Sequence, residues 1–159
     1  LIIMNLYDRQ KAVDYAHTWW NRLNPQFYDF ENLGGDCTNF ISQCLLYGGL
    51  EMRPEWHYYN LLNRTPSWTG VNEFYAFLTN SNNHEPLAKT INEQDVELGD
   101  IVQLVLLGPY FHHTAIITKI LGNEPKLENI CVTCHTLDAI DKPLMSYRIL
   151  RYRFLKILF

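Results

Sequence analysis

The spacing of the hydrophobic residues changes about halfway along this chain. In the first half they recur at steps of three and four residues, which is the spacing of one helix face. The second half has short runs rich in β-branched and aromatic residues, separated by turn residues. Helices followed by a meander of strands predict an α+β fold, with N-terminal helices packed on a C-terminal antiparallel β-sheet. The length of 159 residues favours a single domain over residues 1–159.

Three stretches of the first half have helical spacing. The predicted helices run from Asp8 to Leu23, from Cys37 to Tyr47 and from Val71 to Leu78. Asp8 is the expected N-cap of the first helix, because a carboxylate at that position accepts a bond from a free backbone N–H. Four aromatic residues before the third helix are candidates for lining a groove, although an aromatic cluster is more often core: Trp56, Tyr58, Tyr59 and Trp68.

The second half is predicted to consist of a loop and then strands. The polar stretch from Thr79 to Glu97, which contains Ser81-Asn82-Asn83, is expected to be a surface loop. The predicted strands are Asp100 to Leu107, Thr114 to Ile120, Ile130 to Thr136, and Tyr147 to Leu158. Turn residues separate them at Gly108-Pro109, Gly122-Asn123-Glu124-Pro125 and Asp141-Lys142-Pro143.

The composition excludes several classes of partner. The formal net charge is −4 and the isoelectric point is about 5.8, so no basic surface is expected for nucleic acid. No hydrophobic run approaches the ~20 residues that cross a bilayer, so no membrane span is expected. Residues Leu1 to Met4 are too short for a signal peptide, and the missing initiator Met suggests a fragment of a longer protein. Neither the compartment nor the oligomeric state can be predicted from these features.

The segment Gly34-Gly35-Asp36-Cys37 carries the strongest signal for chemistry. Two glycines permit a tight turn, Asp36 can cap the following helix, and Cys37 then lies in its first turn. Free N–H groups at a helix start, together with a nearby imidazolium, lower the pKa of a thiol and make it nucleophilic. The alternative is that Cys37 is a small buried hydrophobic residue. Cys44, two turns later on the same face, is expected to be core.

A nucleophilic cysteine needs a base, and three histidines lie at or within predicted strands: His112, His113 and His135. Strand alternation places His113 with Ala115 on the more apolar face. If that face packs on the helix of Cys37, His113 faces the thiol, although His112 stays an alternative. His135, on the next strand, could fix the tautomer and orientation of the base, or could be an ordinary hydrogen-bonded strand histidine.

The spacing Cys131-Val132-Thr133-Cys134 matches a short zinc-ligand pair, but only weakly. Residues three apart in a regular strand point to opposite faces, so the two sulfurs could not share a metal ion. A small zinc-binding interaction domain that also uses His135 is therefore a minor alternative. We expect neither a metal nor an organic cofactor.

Five motifs occur in a characteristic order along the chain. They are Gly35-Asp36-Cys37-Thr38-Asn39-Phe40-Ile41-Ser42-Gln43-Cys44, Ser67-Trp68, Gly99-Asp100-Ile101-Val102-Gln103, His113-Thr114-Ala115-Ile116-Ile117-Thr118 and His135-Thr136. Together they resemble the bacterial putative amidase domain family, which is related to the NlpC-type cell-wall peptidases among the papain-like cysteine hydrolases. The resemblance spans roughly Tyr7 to Tyr147.

This resemblance implies a papain-like α+β fold and a cysteine-dependent amidase or peptidase. It assigns Cys37 as the nucleophile, His113 as the base and His135 as the orienting residue. The implied substrate is a peptide or a peptidoglycan-derived peptide, and an enzyme that acts on the cell wall would be extracellular or in the cell envelope. The competing interpretation is a catalytically inactive papain-like module that binds peptides or peptidoglycan fragments.

Overall fold

A computed structural model of the chain describes residues 6–80 and 85–159, and these residues form an α+β fold. The helices are α1 (Arg9–Trp19), α2 (Cys37–Tyr47), α3 (Pro66–Thr69) and α4 (Val71–Thr79). Across the described ranges, no helix is long and apolar enough to span a bilayer. The sequence-based predictions for Leu1 to Met4 and for Ser81-Asn82-Asn83 lie outside the described residues.

A six-stranded antiparallel sheet forms the second layer. A small hairpin of β1 (Tyr58–Asn60) and β2 (Asn63–Arg64) precedes it. The sheet strands are β3 (Ala88–Ile91), β4 (Ile101–Val105), β5 (His113–Ile120), β6 (Ile130–Cys134), β7 (Ala139–Pro143) and β8 (Arg151–Ile157). Their spatial order is β3-β8-β4-β5-β6-β7, so β4 and β5 lie in the middle of the sheet. The predicted arrangement of helices on an antiparallel sheet is confirmed.

Helix α2 is buried on all of its sides, and its polar residues are matched to partners. Residues 37–45 are all buried. Thr38 Oγ1 lies 2.9 Å from Thr114 Oγ1 of β5, and Asn39 Oδ1 accepts a 2.9 Å bond from the indole N–H of Trp68. Each buried polar group needs such a partner to offset the loss of water. The polar residues of this motif therefore hold the helix in the core.

The groove predicted from the aromatic cluster does not form. Trp56 and Trp68 are completely buried, Tyr58 is nearly so, and Tyr59 is the exposed member of the set. The indole N–H of Trp56 donates to Ser42 Oγ at 3.3 Å, which gives the buried ring a polar partner. The groove prediction was wrong for Trp56, Tyr58 and Trp68. These large aromatic side chains lie between prolines in the sequence and pack in the core beside α2.

The two faces of β5 are the reverse of the predicted arrangement. Ile116 packs in the same hydrophobic cluster as the helices, and Thr114 contacts α2. Ala115 and Ile117 belong to a separate cluster on the opposite face. Because both faces of this central strand are buried, the greater apolarity of one face does not identify the side that meets the helices.

Two strands of the sheet were missed, and both lie at its edges. β3 lies within the predicted loop from Thr79 to Glu97, and β7 contains the predicted turn Asp141-Lys142-Pro143. Edge strands tolerate proline and irregular backbone because only one side of the strand is paired. Asp141 has a positive φ of 45° and lies where the pairing of β6 and β7 shifts register. Helix α2 has the predicted bounds, whereas α1 ends four residues before Leu23.

The buried carboxylate of Asp100 fastens α1 to the sheet. Its Oδ1 atom accepts bonds from Nη1 of Arg9 at 2.7 Å and from the backbone N–H of Ile157 at 3.1 Å. Its Oδ2 atom accepts from the N–H of Glu97 at 2.9 Å and from Nζ of Lys156 at 3.1 Å. The carboxylate is fully buried, so these four bonds replace its water.

Replacing Asp100 with alanine should strongly destabilise the fold. The change leaves two backbone N–H groups without their acceptor and removes the shortest ion pair of Arg9, and breaking a buried pair of this kind costs about 3 to 5 kcal/mol. Urea unfolding measures the loss. As a control, Glu124→Ala breaks an exposed pair with Lys126 and should change the free energy of unfolding by less than about 1 kcal/mol. Equal effects of the two substitutions would contradict this account.

Candidate active site

Cys37 occupies the position that the glycine turn was predicted to give it. Gly34 and Gly35 have φ values of 91° and 98°, a backbone region that favours glycine, and Cys37 is the first residue of α2. Its sulfur lies 4.0 Å from the carbonyl oxygen of His112 and 3.8 Å from Thr38 Oγ1. The thiol therefore packs between the start of α2 and the start of β5.

The thiol of Cys37 is not the low-pKa thiol that the sequence predicted. Burial raises its pKa, since only 6% of the residue is exposed. Hydrogen bonds from the backbone of Thr114 and from Thr38 lower the pKa, and the charge of Asp36 raises it further. The net shift is upward because removing the thiolate from water outweighs the bonds at the helix start.

His113 is the first residue of β5 and provides a neutral imidazole. Its Nε2 atom is buried and has no hydrogen-bond partner among the residues that the structure describes. Burial lowers the pKa of His113 to about 4, and the charges of His112 and Lys142 contribute in the same direction. The backbone of His113 lies between the His112 carbonyl and the Thr114 N–H, the two main-chain groups next to the Cys37 sulfur.

His112 was the alternative base, but one nitrogen of its ring already accepts hydrogen bonds from the backbone. Its Nε2 atom accepts hydrogen bonds from the backbone N–H groups of Leu106 and Leu107, at 3.0 and 3.2 Å. An imidazole nitrogen that accepts two backbone bonds has no free lone pair for a thiol proton. These contacts leave His113 as the candidate base. By strand alternation its side chain shares the face of Ala115, opposite α2, and its ring lies 6.3 Å from that of Tyr147 between ring centres. No hydrogen bond joins its ring to Cys37 in the part of the chain that the structure describes.

His135 contacts Asp36 and not His113. Its Nδ1 atom lies 2.6 Å from Asp36 Oδ2, and its Nε2 atom lies 2.7 Å from the carbonyl oxygen of Trp19. Its ring stacks on Phe40 with 3.9 Å between the ring centres, so it lies on the helix side of the sheet. The structure thus brings together Cys37, the backbone around His113, and a separate pair of His135 with Asp36.

Asp36 is a site residue that the sequence interpretation assigned only to capping. It occupies the N-cap position of α2, but its side chain makes no bond to the first turn's backbone. Its Oδ1 atom accepts from the N–H of Phe30 at 2.9 Å and from Nδ2 of Asn39 at 2.8 Å. A motif pattern alone could not reveal the bond to His135, which lies 99 positions away.

An open, polar cavity of about 440 Å³ lies next to this pair. Its charged lining residues are Arg22, Asp29, Glu31, Asp36, His135 and Asp138.

In the described parts of the chain, no group of three or more His, Cys, Asp or Glu side chains is arranged to hold a metal ion. Cys134 packs in the hydrophobic cluster of Ala115, with its sulfur 3.5 Å from the hydroxyl of Tyr147.

Comparison with known proteins identifies the family. The family model described as putative amidase domain matches residues 6–156, so the chain belongs to that family. Membership indicates an amidase-like hydrolase. The predicted resemblance to this family is confirmed, whereas the relationship to NlpC-type and papain-like enzymes stays a prediction.

Two curated proteins of Bacillus subtilis (strain 168) are similar to the chain. Uncharacterized protein YhbB is 31% identical over 134 residues, and Uncharacterized protein YjcM is 25% identical over 145 residues. The matches cover 75% and 86% of this chain but only 40% and 32% of the relatives. The chain therefore spans less than half the length of either relative. No solved structure is significantly similar to it.

The buried imidazole of His113 should make the fold sensitive to mild acid. The unfolded chain takes up a proton at His113 below about pH 6.5, whereas the folded chain does so only near pH 4. Stability from this group is therefore present above pH 6.5 and is lost as the pH falls through that window. Between pH 7 and 4.5, wild type should lose about 2 to 3 kcal/mol more unfolding free energy than His113→Gln. Urea unfolding at both pH values measures this, and equal losses would contradict it.

Proposed function

We propose that this amidase-family protein is a cysteine-dependent amidohydrolase, with Cys37 as the nucleophile and His113 as the general base. The observation that carries the proposal is the position of the Cys37 thiol. It lies at the start of a buried helix, against the main chain around His113, whose Nε2 atom has no partner among the described residues. A nucleophile, a neutral base and free N–H groups at a helix start are the components that thiol-dependent acyl transfer needs.

In the first half of the proposed reaction, the His113 ring turns from Tyr147 toward the sulfur, and the thiol proton passes to its imidazole. The sulfur of Cys37 forms a bond to the carbonyl carbon of the amide, and the carbonyl oxygen becomes an oxyanion. The backbone N–H of Cys37 donates to this oxygen. The carbon–nitrogen bond then breaks, and His113 returns its proton to the departing amine, which leaves a thioester on Cys37.

In the second half, water replaces the amine. His113 takes a proton from water while the oxygen of water bonds to the thioester carbon. The carbon–sulfur bond breaks, and the sulfur of Cys37 recovers a proton from His113 as the carboxylic acid leaves. The two halves together consume one water molecule and one amide, and they return the enzyme to its starting state.

In the free protein the Cys37 thiol and the His113 imidazole are both neutral, which is the state from which the proposed steps start. A raised pKa keeps the Cys37 thiol protonated, and a pKa of about 4 keeps His113 neutral over most of the physiological range. A neutral imidazole can accept a proton, whereas an imidazolium cannot. Activity that depends on His113 should therefore persist in mild acid and disappear as the pH falls through about 4.

The substrate that we propose is a peptide or a peptidoglycan-derived peptide. Its support is the family assignment, together with the predicted relationship of that family to the NlpC-type cell-wall peptidases. The site would act through its own side chains, with no metal or organic cofactor. An enzyme with such a substrate would work outside the cell membrane or in the cell envelope.

A second candidate function is a peptide-binding module that does not catalyse hydrolysis. Two observations favour it: the thiol of Cys37 is almost fully buried, and its pKa is raised. Both features reduce the thiolate fraction that can attack a carbonyl. This alternative predicts that binding of peptidoglycan fragments survives Cys37→Ala, with no amide cleaved by wild type.

Replacing Cys37 with alanine should abolish amide hydrolysis and leave the fold intact. The change removes the nucleophile, so kcat/KM should fall by at least roughly 1,000-fold. The assay is mass spectrometry of products from purified peptidoglycan and from synthetic stem peptides. Cys131→Ala is the matched control, since Cys131 is also buried but lies on β6 with its sulfur near Asn129. Hydrolysis by Cys37→Ala at the control's rate would rule out the assignment.

A further inference from the structure

Asp36, which directly precedes Cys37 in the sequence, forms a buried ion pair with His135. This pair takes no part in the proton transfers proposed above. His135 bonds to Asp36 through Nδ1 at 2.6 Å and to the Trp19 carbonyl through Nε2 at 2.7 Å. The side chains of His135 and Asp36 are only 6% and 3% exposed. The ring of His135 also stacks on Phe40 in α2. The pair therefore joins the end of α1, the start of α2 and the end of β6.

The hydrogen-bond partners of the two side chains indicate the protonation state of this pair. A carbonyl oxygen can only accept, so Nε2 of His135 must carry a hydrogen toward Trp19. Oδ1 of Asp36 accepts from the N–H of Phe30 and from Nδ2 of Asn39, so two donors already point at this carboxylate. The ionised carboxylate is an acceptor as well, so Nδ1 of His135 also carries a hydrogen. These contacts fit an imidazolium at His135 that faces the Asp36 carboxylate.

The electrostatic environment of His135 agrees with that state. Burial lowers the pKa of His135, but the bonds to Asp36 and to the Trp19 carbonyl raise it by more, and the net shift is upward. The other charged residues around the adjacent cavity are Arg22, Asp29, Glu31 and Asp138. Of these, Asp138 also raises the pKa of His135. His17 of α1 does not face the pair, because it bonds to Asp141 of β7 at 2.8 Å.

The charge of this pair matters to Cys37 because Asp36 is its neighbour. The carboxylate of Asp36 disfavours the thiolate of Cys37, in addition to the larger effect of burial. An imidazolium at His135 makes the pair neutral overall and so offsets that penalty. The same bonds fix the direction in which the first turn of α2 points.

We propose that His135 acts on Cys37 through Asp36, by neutralising the Asp36 carboxylate and holding the first turn of α2 in place. Asp36 and His135 are then positioning residues, and neither one orients His113. This inference rests on the proposed function for its catalytic meaning. Its effect on the thiol can be measured without any substrate.

The test is the rate at which iodoacetamide alkylates Cys37 across pH 6 to 10. Peptide mass spectrometry reports each cysteine separately, and the fitted midpoint gives the apparent pKa of the thiol. The proteins to be compared are wild type, Asp36→Asn, His135→Gln and the double variant. In Asp36→Asn the amide oxygen can still accept from Phe30 and Asn39, while the amide nitrogen can donate to a neutral His135 that keeps its bond to Trp19.

Only one of these variants leaves an uncompensated charge beside the thiol. His135→Gln keeps the Asp36 carboxylate without its counter-charge, so alkylation of Cys37 at pH 7 should slow roughly tenfold. Asp36→Asn and the double variant carry no net charge at the pair, so both should stay within about threefold of wild type. A double variant as slow as His135→Gln would show a merely structural role and would overturn the proposal. An unchanged rate in His135→Gln would overturn it as well.

A second measurement on the unmodified protein covers the case in which His135→Gln does not fold. Nitrogen-15 NMR of labelled histidine distinguishes a ring with two protonated nitrogens from a neutral ring. We expect both His135 nitrogens to be protonated at pH 7.5, and a neutral ring at that pH would overturn the inference. These results are separable from the amide assay. Hydrolysis by Cys37→Ala would remove the proposed function while leaving the charge effect on the thiol intact.

Discussion

The burial of α2 over residues 37–45 is the constraint on which the site depends. A helix that is covered on every side must satisfy each of its polar groups inside the protein. Thr38 does so against Thr114 of the central strand, and Asn39 does so with the indole of Trp68. These bonds leave α2 little freedom to rotate or slide against β5. The sulfur of Cys37 is consequently held beside the backbone of His113. The packing of the core therefore sets the position of the thiol.

The elements that could be predicted are those in which local pattern and tertiary packing agree. The glycine turn and the apolar run after Cys37 gave the bounds of α2, because a turn with positive φ and a helical spacing are both local properties. The central strands could be predicted because long runs of β-branched residues are typical of strands. The cysteine and His113 could be singled out as candidates for the same reason, since each lies at the end of a strongly patterned element.

The features that could not be predicted depend on what lies across the fold. The edge strands β3 and β7 carry polar residues, and β7 ends on Pro143, so their local pattern resembles a loop. The face of β5 that meets α2 could not be read because both faces are buried. The partner of His135 lies far away in the sequence, and the raised pKa of the Cys37 thiol comes from burial that no local motif encodes.

The most direct test of the central claim is to look for an acyl group on Cys37. Activated p-nitrophenyl esters of N-acetyl amino acids acylate a nucleophile quickly, so the slower hydrolysis of the acyl-enzyme lets it accumulate. The account predicts a burst of about one p-nitrophenol per protein molecule, with the acyl group on the Cys37 peptide after acid quenching, and a much smaller burst in His113→Gln. Acylation spread equally over the four cysteines, or a burst that His113→Gln leaves unchanged, would contradict it.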